Sequence, residues 1–190
     1  MGILNRIKGM MLNPQAEWEN VAREMPGATE MLRNVLLPLS LLAPAATVVG
    51  ILVFDTRWHA QYGYSMLPDR APFIALATCA FEIISVYLLA GVFYVLARSE
   101  RQSPDFLVAL RVALFGSIPV LLSGAMLFIP VNIVFSLVAI MYSFYLYYLG
   151  AARLIGIRPA DATMFVGVAM VCMMVLSSLL GGLAAALGLV

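Results

Sequence analysis

The stretch APFIALATCAFEIISVYLLAGVFYVLA, residues 71–97, holds a single carboxylate, Glu82, and no basic side chain. At ~1.5 Å per helical residue it outreaches the ~30 Å hydrocarbon core of a bilayer. A helix that is apolar on every side belongs in lipid or in the centre of a much larger protein. Four further runs read the same way: Val35–Phe54, Leu107–Ile129, Val131–Ala152 and Ala162–Leu189. The fold class that follows is all-α and polytopic. Five transmembrane helices fill residues 35–190, behind a leader of residues 1–34.

Composition supports one membrane domain. The chain is 63% hydrophobic and 11% charged, with a mean hydropathy of +0.99, outside the range of soluble domains. The connections between runs are too short to fold alone, which leaves no room for a separate soluble catalytic domain. A net charge of +1 and the lack of a basic stripe exclude a nucleic-acid partner. Arg6, Lys8, Arg23 and Arg33 precede the first run, Arg98 and Arg101 follow the second, and Arg153 and Arg158 follow the fourth. The other side receives only Arg57 and Arg70. The positive-inside rule then places the N-terminus in the cytoplasm and the C-terminus on the periplasmic or extracellular side. Compact loops fit a bacterial inner membrane.

Cys79 and Cys172 both fall inside runs and show neither metal-ligand spacing nor a disulfide pattern. His59 is the one histidine, and a metal site needs several converging ligands, so no metal and no cofactor are expected. The opening MGILNRIKGMMLNP carries Arg6 and Lys8 within its apolar content and does not read as a cleavable signal peptide.

The leader has its own pattern. Ile3, Leu4, Ile7, Met10 and Met11 recur at helical spacing while Asn5, Arg6 and Lys8 take the other side. This is the signature of a short helix lying on the membrane surface. Asn13-Pro14 ends it and starts a second helix to about Glu24, and Met25-Pro26-Gly27 breaks that one. Trp18 is expected as an anchor at the interface. Pro38 and Pro44 should kink the first span, and the loop Asp55–Arg70, with Trp58, Tyr62 and Tyr64, suits an aromatic belt.

Two charged residues lie well inside spans. Arg111 is ~6 to 8 Å from the cytoplasmic edge of its run, close enough to snorkel to the headgroups. Glu82 is ~16 Å deep and too short to do so. Ser117, Tyr142 and Ser143 fall at the same depth, and Pro119 frees the Phe115 carbonyl in that layer. A polar cluster is therefore expected, with Glu82 as the neutral acid donating to one of these oxygens. In the fifth run Ser177, Gly181 and Ala185 form a small-residue stripe suited to helix packing, within the chain or in a homo-oligomer. No carboxylate pair, phosphate loop or Ser-His-Asp set is present in the sequence, so enzymatic activity is not expected.

One resemblance covers nearly the whole chain. Pro14 with Trp18, Ser117-Ile118-Pro119, and Tyr142-Ser143-Phe144-Tyr145-Leu146-Tyr147-Tyr148-Leu149-Gly150 running into Pro159-Ala160-Asp161-Ala162 resemble the bacterial type of the Yip1 family. That resemblance implies a five-span integral membrane protein of membrane organisation and trafficking, with a cytoplasmic N-terminus. The aspartate-leucine-tyrosine-glycine-proline type of motif found in many eukaryotic members is missing, so their GTPase binding is not carried over. The expected function is a non-enzymatic membrane protein that organises membrane or binds lipid or protein partners. The rivals are a small proton- or ion-coupled carrier or channel using Glu82, and an accessory subunit of a larger membrane complex.

Overall fold

A computed structural model describes residues 3–53, 71–100, 102, 104–126 and 132–186. The loop 55–70, with Trp58, His59, Tyr62 and Tyr64, and the turn at Pro130 lie outside the described residues. Helix α1 (Ile3–Leu12) and helix α2 (Pro14–Glu24) open the chain. Pro14 takes the first turn of α2, where its missing N–H is no loss. Asn13 precedes it without a side-chain cap bond. Met25 ends α2 in the left-handed region at φ 42°, and its N–H closes on the Val21 carbonyl.

The first span is assembled from pieces: α3 (Ala28–Met31), a π-helical turn Leu32–Leu36, α4 (Leu37–Ser40) and α5 (Leu42–Val53). Pro38 and Pro44 lie at and around the breaks, as their rings and missing donors require. Ser40 Oγ donates to the Leu37 carbonyl at 3.1 Å and Thr47 Oγ1 to the Ala43 carbonyl at 2.9 Å. Such hydroxyls re-satisfy backbone groups that lipid cannot.

The second span is α6 (Ala71–Ser99). The third is α7 (Phe106–Gly116) and α8 (Ile118–Ser123), which part at Ser117, two residues before Pro119. The fourth is α9 (Asn132–Gly150), extended by a π-helical turn Ala151–Ile155. Gly156, at φ 85°, reverses the chain into the fifth, α10 (Pro159–Ala186). No strand occurs among the described residues. Five stretches are long and apolar enough to cross a membrane: Ala28–Val49, Ala75–Ser99, Phe106–Met126, Ile133–Ile155 and Pro159–Gly182. The all-α, five-helix reading holds. The first stretch begins at Ala28, ahead of the apolar run at Val35, because α3 continues into it through the π turn.

The third span is the axis of the bundle, 67% buried where the other four are 17–39% buried. Its neighbours are the second span on one side and the first and fourth on the others, while the fifth packs on the second and fourth. An aromatic stack ties these together: Phe93 meets Tyr147 edge-on at 5.5 Å and stacks on Phe165 at 5.7 Å. Ser117 Oγ donates to the Ala113 carbonyl at 2.7 Å and stands 2.7 Å from the Tyr147 hydroxyl, which donates to it.

Gly116 makes that arrangement possible. A Cβ there would fall 2.2 Å from Cδ1 of Tyr147, whose ring is held by Phe93 and by Ser117. We expect Gly116→Ala to destabilise the bundle by about 1–3 kcal/mol, as overpacking of a rigid ring does. Thermal unfolding in detergent measures it, and an unchanged midpoint would mean that the ring has room to retreat.

Candidate functional site

The leader is built into the bundle rather than standing apart from it. It packs into the bundle, α1 against α8 of the third span and α2 against the fourth span. Met10, Trp18 and Val21 are buried to 1% exposure or less. Close approach of the two leader helices depends on Gly9, where a Cβ would stand 2.5 Å from Glu17 Oε2.

Arg6 decides how α1 is seated. The sequence pattern turns it outward with Asn5 and Lys8, yet it is only 6% exposed. Its guanidinium donates to Glu17 Oε1 at 2.7 Å, pairs with Glu24, and lies 5.5 Å from the Phe115 ring centre. Asn20 Nδ2 supports the other Glu17 oxygen at 3.1 Å. Phe115 stands nine residues into its helix, ~14 Å from the start of the span. A charge at that depth persists where it is paired.

Two further contacts bind leader to bundle through backbone carbonyls. Arg111 is also 6% exposed, with Nε on the Pro26 carbonyl at 3.0 Å and an Nη on the Met25 carbonyl at 3.1 Å. The left-handed turn at Met25 presents both oxygens. Arg111 therefore fastens the leader rather than snorkelling to headgroups. Tyr142 donates its hydroxyl to the Met10 and Met11 carbonyls at 3.2 and 3.0 Å, at the open end of α1. A helix end in lipid needs such donors.

Trp18, expected at the interface, is a core residue. Its ring meets Phe115 edge-on at 6.4 Å and fits over Gly150, where a Cβ would come within 2.8 Å of the indole. Nearer the surface, Arg153 reaches Glu19 at 2.5 Å.

The sequence profile of the Yip1 domain matches residues 8–180, which takes in the second half of α1, α2, the first four spans and most of the fifth. The chain belongs to the Yip1 family. No curated protein and no solved structure shows significant similarity to it.

The expected midplane cluster of this Yip1 protein is divided between several sites. Ser117 is committed to Ala113 and Tyr147, and Tyr142 to the leader. Ser143 Oγ and Glu82 Oε2 are buried without a hydrogen-bond partner among the described residues. Beside the Pro119 kink the Ser117 hydroxyl takes the Ala113 carbonyl. Depth along a helix sets the layer of a side chain, but rotation about the helix decides whom it meets. In the fifth span a Cβ on Gly181 would meet nothing within 4 Å, Ser177 is half-buried, and the Ala185 side chain lies outside the described residues. At Gly181 the stripe makes no close contact among the described residues. Among those residues no group of three His, Cys, Asp or Glu side chains converges to hold a metal.

The sequence reading set Arg6 on the polar side of α1, named Tyr147 only within the family segment, and gave Glu17 and Glu24 no role. One signal was available: a leader with an arginine in α1 and glutamates on α2 can pair internally. The glycines facing Glu17, Tyr147 and Trp18 mark the close approaches.

Proposed function

We propose that this Yip1 protein is non-enzymatic and binds lipid or protein partners, organising the membrane around it through the outward side of its leader. One observation carries the reading. With its inner side fixed by Arg6 and Met10, α1 turns Leu4, Lys8 and Leu12 outward, Leu4 and Leu12 at 77% and 73% exposure. A helix that presents leucines and a lysine while held on a scaffold suits a partner that is apolar with an anionic border. In the same reading the leader side faces the cytoplasm of a bacterial inner membrane, because most of the basic residues lie there.

Removing the leader is a poor test, since Met10, Trp18 and Val21 belong to the core. Photo-crosslinking residues at Leu4 and Leu12 are the better probe, with the outward Phe81 of the second span as reference. We expect one partner protein or one phospholipid class to dominate the adducts from Leu4 and Leu12 and not those from Phe81. The same mixture from all three positions would overturn the reading.

A second reading, a proton- or ion-coupled carrier, draws on the buried Glu82 Oε2, which has no hydrogen-bond partner among the described residues. Wild type and Glu82→Gln reconstituted into vesicles with an interior pH dye separate the two. We expect both to leak no faster than protein-free vesicles. Flux in the wild type that disappears in the variant would replace the first reading with the second.

A further inference from the structure

A cavity of about 330 Å³ opens between α2 and the leader-side end of the fourth span. Gln15, Trp18 and Glu19 line it from α2, and Leu149, Ala152 and Arg153 from the fourth span. We propose that it holds the headgroup of a zwitterionic phospholipid, with the phosphate on Arg153 and the ammonium on Glu19. The inference rests on the partner-binding reading above and names one lipid and its seat.

Depth is the first argument. Arg153 stands two residues before Ile155, where the spanning stretch ends, so it lies at headgroup level. Leu149 is about one turn deeper, where glycerol gives way to acyl chain. The polar and apolar walls of the cavity follow the order of a phospholipid.

The second argument is charge. Arg153 and Glu19 pair at 2.5 Å with side chains 58% and 54% exposed, so the bond is accessible and weakly held. A simple anion taking Arg153 would strand the Glu19 carboxylate beside it. A zwitterion replaces both ends of the pair, since its phosphate takes the guanidinium while its ammonium takes the carboxylate. One internal ion pair becomes two charge-assisted contacts.

Third, the exposed Gln15 adds an amide to the wall that carries Glu19. Phosphate and ester oxygens are acceptors for such a donor.

The chain has two tryptophans, Trp18 and Trp58, so Trp58→Phe leaves Trp18 as the only indole reporter. In phosphatidylglycerol vesicles, phosphatidylethanolamine with brominated acyl chains should quench Trp18 along a saturating curve at low mole fraction. Brominated phosphatidylglycerol should quench only in proportion to its amount. Glu19→Gln and Arg153→Gln should each raise the midpoint for phosphatidylethanolamine roughly tenfold, the weight of one charge-assisted hydrogen bond. Both side chains are half-exposed, and unchanged Trp18 emission before titration confirms that each variant is folded. Equal, linear quenching by the two lipids would overturn the proposal, as would unmoved midpoints in both variants. Displacement of the brominated lipid by soluble glycerophosphoethanolamine would overturn the lipid assignment in favour of a free headgroup compound. None of these outcomes touches the Leu4 and Leu12 adducts, which judge the broader reading separately.

Discussion

Truncating Trp18 to alanine is expected to lower stability by about 3–5 kcal/mol, among the largest effects of any single substitution in this chain. The indole is 1% exposed, meets Phe115 edge-on and rests on Gly150, so its removal opens a cavity bounded by three elements. Much of the surrounding solvent is lipid, and the transfer term that water would add is reduced there. Lost packing carries most of the cost. The lower part of the range is therefore expected. Gly150→Ala attacks the same contact from the other side, since its Cβ would stand 2.8 Å from the ring, and should cost about 1–3 kcal/mol. The checks are the apparent melting midpoint in detergent and the rate of trypsin cleavage at the exposed Arg23 on α2. Both variants should melt earlier and lose the leader to protease first. A Trp18→Ala protein with wild-type melting and protection would show that α2 is not part of the core.

The two ends of this argument were unequally legible in sequence. Five spans could be read directly because lipid requires every backbone group to be bonded within the helix and allows few charges, so long apolar runs have one reading. Pro14, Pro38, Pro44 and Pro119 lie at or near real starts and breaks, since the ring acts locally. The position of the leader was not legible. Helical spacing in α1 shows that one side is apolar, but it does not say whether membrane or the third span covers that side. Arg6 was read with the polar side because its partners, Glu17 and Glu24, lie on the next helix, across the Asn13-Pro14 break, where the periodicity of α1 says nothing of them. Depth counting put Glu82, Ser117, Tyr142 and Ser143 in one layer. Packing then turned Tyr142 toward the Met10 and Met11 carbonyls and Ser117 toward Tyr147. For Arg111, a snorkelling chain and a chain bonded to Pro26 have the same sequence signature.

Replacing Arg6 with methionine should separate a leader built into the bundle from one lying on the membrane. Glu17 is 5% exposed, and without the guanidinium its carboxylate keeps, among the described residues, the Asn20 amide as its bonded partner. Breaking a buried ion pair from one side typically costs about 3–5 kcal/mol because a charge is left uncompensated. Glu24, with a side chain 42% exposed, is partly screened and adds little to that cost. Removing both charges as Arg6→Met with Glu17→Met should recover most of the loss, since two apolar side chains then occupy the space of the pair. The double-mutant cycle, read from melting midpoints of the four proteins, should show the two sites coupled by more than about 1.5 kcal/mol. A surface leader gives a different result. An exposed pair contributes about 0–1 kcal/mol, so Arg6→Met would scarcely move the midpoint and the second substitution would rescue nothing. A small Arg6→Met effect without coupling would return the leader to the membrane surface. It would also remove the fixed scaffold on which the outward Leu4, Lys8 and Leu12 depend.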